Sequence, residues 1–291
     1  MEWVQQLVNG ISIGSIYALI ALGYTMVYGI IKLINFAHGD VFMVGAFIGF
    51  YAIAKWEMNF FAALLLAMML CAVFGVIIER VAYKRLRNST RIAALITAIG
   101  VSLLIEYTVV FFRGAQLESY PNTIENKAIT IFGAQIGTHS ILILSVSIGL
   151  MILLQFIVQK TKIGKAMRAV SHDADAAKLM GINVDNTISA TFAIGSALAG
   201  AAGVIFGLYY TKIDPFMGVI PGLKAFIAAV LGGIGIIPGA MVGGMLLGVV
   251  ETVVSALGFS LWRDAAAFVI LILILVFKPE GIFGKNAREK V

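Results

Sequence analysis

A chain of 291 residues with 60% hydrophobic and 12% charged positions lies well outside the composition of soluble domains, where about half the residues are apolar and a quarter charged. The formal net charge of +6 on such a background records orientation in a bilayer rather than affinity for nucleic acid. A single cysteine, Cys71, excludes a disulfide framework and a cysteine metal cluster.

In chain order, hydrophobic segments are predicted at 4–31, 36–54, 60–78, 92–112, 140–159, 188–210, 222–237, 239–257 and 265–277. A helix that spans a bilayer needs ~20 apolar residues, and Val4 to Ile31, Phe60 to Ile78, Ser140 to Gln159 and Ile188 to Thr211 carry no charge at all. The expected fold is an all-α polytopic membrane protein with eight or nine crossings. A cleavable leader is not expected, because no Lys or Arg precedes Lys32 and the first apolar run is too long. Two segments are doubtful as full crossings. Asn35, His38, Gly39 and Asp40 interrupt the start of the second, and the seventh ends in a glycine-proline cluster. Broken backbone at membrane depth survives only where protein or a water-filled cavity surrounds it, and in transporters it tends to line the substrate path.

Alternating the loops puts fifteen Lys and Arg residues on one side: Lys32, the five from Arg80 to Arg91, the five from Lys160 to Lys178 and the four from Lys278 to Lys290. Lys55, Arg113, Lys127, Lys212 and Arg263 fall on the other, and Lys224 lies in or beside a segment. Cytoplasmic loops collect Lys and Arg, so the amino terminus is expected outside and the carboxyl terminus in the cytoplasm. Trp3, Trp56 and Trp262 then fall near segment ends on the outside, as an interfacial aromatic belt would place them. The longest outer loop runs from Arg113 to His139.

Glycines cluster in two segments, Gly195, Gly200 and Gly203 in one, and Gly232, Gly233, Gly239 and Gly243 in the other. Small residues let helix backbones approach in lipid, so these positions read as packing surfaces, with a hinge or path lining as the alternative.

The loop at 160–187 is polar and short. Ile163, Met167, Val170, Ala174 and Ala177 recur at helical spacing. Ser171 reads as an N-cap with Asp173 and Asp175 in the first turn, and Gly181 suits the left-handed position after Met180. The expectation is one or two turns around 165–170, a break, and a short helix over about 172–180. So short a helix is marginal alone; it rests on the membrane surface or on a second protein.

"DAAKLMG" (Asp175 to Gly181) resembles the E-A-A-x-x-x-G core of the cytoplasmic coupling loop of ABC importer permeases, with Asp175 in place of the usual Glu and no I-x-L-P tail. "INFAHGDVFMVGAF", "KAFIAAVLGGIGIIPGAMVGG" and "FKPEGIFG" are similar to the permeases of branched-chain amino acid importers, specifically the first permease type of the leucine/isoleucine/valine systems, almost end to end. The resemblance implies a single permease domain over 1–291, in a bacterial or archaeal cytoplasmic membrane. It implies a related second permease subunit, two ATP-binding subunits docked on the loop, and an extracytoplasmic substrate-binding protein, for which the Arg113–His139 loop is a candidate contact. The coupling contact region it implies is Arg168, Asp173, Asp175, Leu179, Met180 and Gly181. No catalytic residue, metal or cofactor is expected, since "GGIGIIPGA" lacks the lysine and hydroxyl of a phosphate-binding loop.

Asn35, His38, Asp40, Glu106, Lys224 and Glu251 lie in or beside apolar segments. Ionisable groups there are costly and face a partner or water. Lys224 can pair with Glu106 or with Glu251, and the residues do not choose. These groups either touch the charged ends of an amino acid or fix helix register; the balance favours register, because an external binding protein can supply selectivity. His38 reads as a capping or hydrogen-bonding residue, since His139 and His172 fall in opposite loops.

Overall fold

The computed structural model describes residues 2–87, 89–124, 127–131 and 134–284. Lys285, Arg288 and Lys290 of the basic count, and Glu125 of the outer loop, lie outside them. The helices are α1 (Glu2–Ile31), α2 (His38–Ala54), α3 (Phe60–Ile78), a π-helical turn (Glu79–Tyr83) running into α4 (Lys84–Leu86), α5 (Arg91–Arg113), α6 (Thr138–Lys160), α7 (Lys162–His172), α8 (Ala174–Leu179), α9 (Val184–Tyr210), α10 (Val219–Gly232), α11 (Ile237–Ala256) and α12 (Arg263–Phe277). Among the described residues, seven helices are long and apolar enough to cross a membrane.

All nine apolar segments are helical, and the two doubtful ones are the short ones. At 1.5 Å per residue, the 17 residues of α2 and 14 of α10 reach about 26 and 21 Å, less than the ~30 Å hydrocarbon core. Each adjoins a break. Lys32 turns left-handed (φ 54°) after α1, and α2 starts only at His38. Gly233 (φ 104°) and Gly235 (φ 94°) separate α10 from α11. The seventh predicted segment therefore ends earlier than 237, because only glycine tolerates those backbone angles cheaply. The third runs further than predicted, to Leu86, through the π turn. The first break is buried at Asn35 and Ala37, as irregular backbone at membrane depth must be, whereas the second buries Gly233 and exposes Gly235.

Helix starts follow the capping residues. Asn59, Thr90, Thr161 and Asn183 accept backbone N–H bonds at the starts of α3, α5, α7 and α9, each satisfying an otherwise orphaned donor. Helix α1 is the axis of the bundle, packed against α6, α9, α10 and α11, while α2 and α3 pack on α9 and α12 lies over α10 and α11.

Glycine makes these contacts close. A Cβ at Gly248 would strike the backbone of Gly10 and Gly14, one at Gly244 would strike Ala18, and one at Gly203 would strike the backbone of Phe42 and Ala46. Gly195 faces Gly23, Gly200 faces Cys71 and Ala67, Gly232 and Gly239 abut each other, and a Cβ at Gly233 would reach the Glu280 carbonyl. At Gly243 the obstacles are the Ala228 carbonyl and the Gly232 amide. Gly243→Leu is expected to reduce the yield of monodisperse protein severalfold, since overpacking costs about 1–3 kcal/mol or more. Gly149→Leu, at a position with nothing within 4 Å, should leave it unchanged. Equal yields of the two variants would show that α10 and α11 do not need this approach.

Opposite ends of the bundle differ. At the basic end, α7 lies beside Gly235 of the second break, Tyr83 reaches Asn35 of the first, Lys84 of α4 pairs with the start of α9, and α8 packs on α7 and α9. At the other end, β1 (Glu118–Ser119) pairs antiparallel with β4 (Lys212–Ile213), and β2 (Ala128–Ile131) with β3 (Ala134–Gly137). There Tyr120 is buried over Gly49 and Gly207, and burial pushes its phenol above its ordinary pKa.

Candidate functional site

The polar loop forms an elbow of two helices. Helix α7 turns Gly164, Met167 and Val170 inward, and Ala177 is the buried residue of α8. Ile163 and Ala174, predicted on the same stripe, are exposed; Ala174 leaves the stripe because the chain changes direction between α7 and α8, and Ile163 lies in the first turn of α7. The N-cap also differs from expectation. Helix α7 extends to His172 and absorbs Ser171, whose hydroxyl donates to the Arg168 carbonyl. Asp173 is extended (φ −155°, ψ 111°), and its Oδ1 accepts from the amides of Asp175 and Ala176, both at 2.9 Å. A carboxylate here serves better than a hydroxyl, because it also meets the positive end of the helix dipole.

The end of α8 is a Schellman turn. The Gly181 amide donates to the Lys178 carbonyl at 3.0 Å, the Ile182 amide to the Ala177 carbonyl at 3.0 Å, and Gly181 has φ 82°. This turn holds out Leu179, 89% exposed, and Met180, 82% exposed. Asp175 is exposed beside them. Arg168 does not join them: its guanidinium turns back and donates to the Val158 carbonyl at the end of α6. The six predicted contact residues thus divide into a displayed set, an internal cap (Asp173), a conformational stop (Gly181) and an anchor (Arg168).

Buried charge gathers elsewhere. Lys224 on α10 lies 2.9 Å from Glu251 on α11 and 2.6 Å from Asp264 on α12. Glu251 is 0% exposed. It accepts the Tyr17 hydroxyl at 3.1 Å and lies 3.4 Å from Arg263. Two cations and two anions therefore balance across four helices, α1, α10, α11 and α12. Glu106 is not part of this set; it and Ser102, both on α5, face Asp40 across the α2–α5 contact. His38 is buried edge-on against Tyr24, with ring centroids 4.9 Å apart. Asn35, in the break before α2, accepts the Tyr83 hydroxyl at 2.9 Å.

A second ionic group sits at the basic end. Glu79 of the π turn is fully buried, accepts the Ser189 hydroxyl at 2.7 Å and is paired with Arg87. Arg87 also meets Asp185 at 2.6 Å, and Lys84 meets the other oxygen of Asp185 at 2.7 Å. Asp185 lies in the first turn of α9, directly after the elbow. The only sequence signal was an acid, Glu79, abutting an apolar run and followed by a basic cluster. Among the described residues, no three His, Cys, Asp or Glu side chains converge as a metal site would require.

The family of branched-chain amino acid transport system permease components matches residues 6–277 of this chain. The chain is 43% identical to the high-affinity branched-chain amino acid transport system permease protein LivH of Salmonella typhimurium, covering 100% of this chain and 98% of the relative. It is 43% identical to the corresponding protein BraD of Pseudomonas aeruginosa over the same shares. It is 27% identical to the ribose import permease protein RbsC of Haemophilus influenzae, covering 97% of this chain and 87% of the relative. No solved structure gives a significant match. Family match and near-complete alignment agree with the helical bundle, and the chain belongs to the branched-chain amino acid transport permease family.

Proposed function

We propose that this chain is a permease subunit of an ATP-driven importer for branched-chain amino acids, with its basic end in the cytoplasm and its amino terminus outside. It works with a related second permease subunit, two ATP-binding subunits that dock on α7–α8, and a substrate-binding protein at the opposite face. The observation that carries this is the display of Leu179 and Met180 on a capped helix at the basic end, since large apolar side chains held in water mark a contact surface.

Force on α8 has a route inward. It reaches the start of α9, then Asp185, Arg87 and Glu79 in the π turn, and from Tyr83 the buried Asn35 at the break before α2. The two arrangements of the bundle must differ in how they bind their ligands for ATP to shift one toward the other.

Leucine uptake by cells carrying the full system should require ATP and be competed by isoleucine and valine but not by ribose. The chain alone in liposomes should carry no leucine under an ion gradient. Transport by the isolated chain without nucleotide, or competition by ribose in place of the amino acids, overturns the reading.

A further inference from the structure

We propose that the groove between α6 and α11 is a binding site for an anionic phospholipid of the inner leaflet. The groove has a volume of about 640 Å³, within the ~300–1,000 Å³ of ordinary ligand sites. Ile148, Ile152 and Met245 line the deep part, and toward the basic end Gln155, Gln159 and Lys160 follow on α6, with Phe156, Pro238 and Met241 beside them. None of these three polar side chains makes a hydrogen bond or ion pair with a described residue.

A lysine at 160 alone has a simple reason, since it ends α6 where the helix dipole favours a cation. That reason does not extend to Gln155 and Gln159. They are one turn apart on the same helix face, and Gln155 lies about 7 Å deeper than Lys160 at 1.5 Å per residue. An amide without a partner at that depth is costly beside hydrocarbon. A phospholipid answers all of it: phosphate on the Lys160 ammonium, ester carbonyls accepting from the two amides, and an acyl chain along the isoleucines and methionines. Basic pockets between membrane helices bind anionic headgroups in this manner. An apolar helix from another subunit would fill the apolar part and leave the three polar groups unanswered. Placing the site in the inner leaflet rests on the proposed orientation.

The test uses Val242→Trp, which puts a fluorophore on the exposed α11 wall of the groove, in the reconstituted full-length chain. Trp3, Trp56 and Trp262 supply a background measured on the unsubstituted protein. Phosphatidylcholine vesicles receive a minor fraction of either phosphatidylglycerol or phosphatidylcholine with chains brominated at mid-length. Brominated phosphatidylglycerol should quench with about fivefold preference, the effect of one lysine near an anionic headgroup. The preference should vanish in Lys160→Gln and persist in Lys160→Arg. Equal quenching by both lipids, or a preference that survives Lys160→Gln, overturns the site. Quenching by neither means that lipid chains do not enter the groove, and overturns it too. The probe is present in both leaflets, so a reversed orientation would not change the result.

Discussion

Lys224→Met is expected to deplete assembled protein rather than yield a well-folded, inactive one. The substitution leaves Glu251, 0% exposed, without its 2.9 Å partner, and breaking a buried ion pair costs about 3–5 kcal/mol. Two features moderate the loss. Arg263 remains 3.4 Å from Glu251, and Asp264, at 57% side-chain exposure, can recover solvation when its partner is removed. A cost near the lower bound still exceeds what most single surface changes do. Neutralising the stranded acid as well, in Lys224→Met/Glu251→Gln, should restore a large part of the yield, because Gln keeps the Tyr17 hydrogen bond and removes the unpaired charge. Size-exclusion recovery and thermal unfolding of the purified protein measure both effects. If Lys224 instead binds the substrate carboxylate, the single variant will be recovered at normal yield with uptake abolished, and the double variant will be no better. That outcome would move the network from scaffold to translocation path.

This network also marks where residues along the chain stop being informative. The nine helices were legible because a bilayer leaves the backbone no other partner than itself, so each apolar run must coil. The two breaks were legible as well, from Asn35 before one short helix with His38 and Asp40 in its first turn, and from the glycines after the other. Pairing was not. Nothing near Lys224 distinguishes Glu251 from Glu106, because the choice depends on which helix faces α10, and Tyr17, Arg263 and Asp264 gave no local signal of sharing the site. The same holds for glycine. The runs in α9 and α11 stand out, whereas their partners Gly10, Gly14 and Gly45 are scattered singly and acquire meaning only by contact. The Glu79–Arg87–Asp185 group was hidden for another reason: the π turn carries α3 past the end of its apolar run, so Glu79 reads as loop until the helix is seen to continue. In the elbow, the stop at Gly181 was legible and the start was not. Ser171 and Asp173 are both good caps, and the choice between them is made by how far α7 extends.

That legible stop carries the second large effect. Gly181→Pro is expected to reduce ATP-coupled leucine uptake at least tenfold while leaving the amount of protein in the membrane unchanged. Proline fixes φ near −65° where the chain needs 82°, removes the amide that bonds the Lys178 carbonyl, and disfavours the near-helical conformation of Met180 just before it. A six-residue helix has no reserve of stability to absorb this, so Leu179 and Met180 lose the frame that displays them. The bundle is spared, since a side chain at position 181 would meet nothing within 4 Å. That empty space makes a graded series informative. Asn tolerates the left-handed region, Ala pays about 1–2 kcal/mol there, and proline cannot adopt it. Uptake should therefore fall in the order Gly, Asn, Ala, Pro, at constant membrane level. A series ordered by side-chain size instead would mean that the surface of position 181 touches the ATP-binding subunit. Wild-type uptake by the proline variant would mean that the partner grips this permease somewhere other than α8.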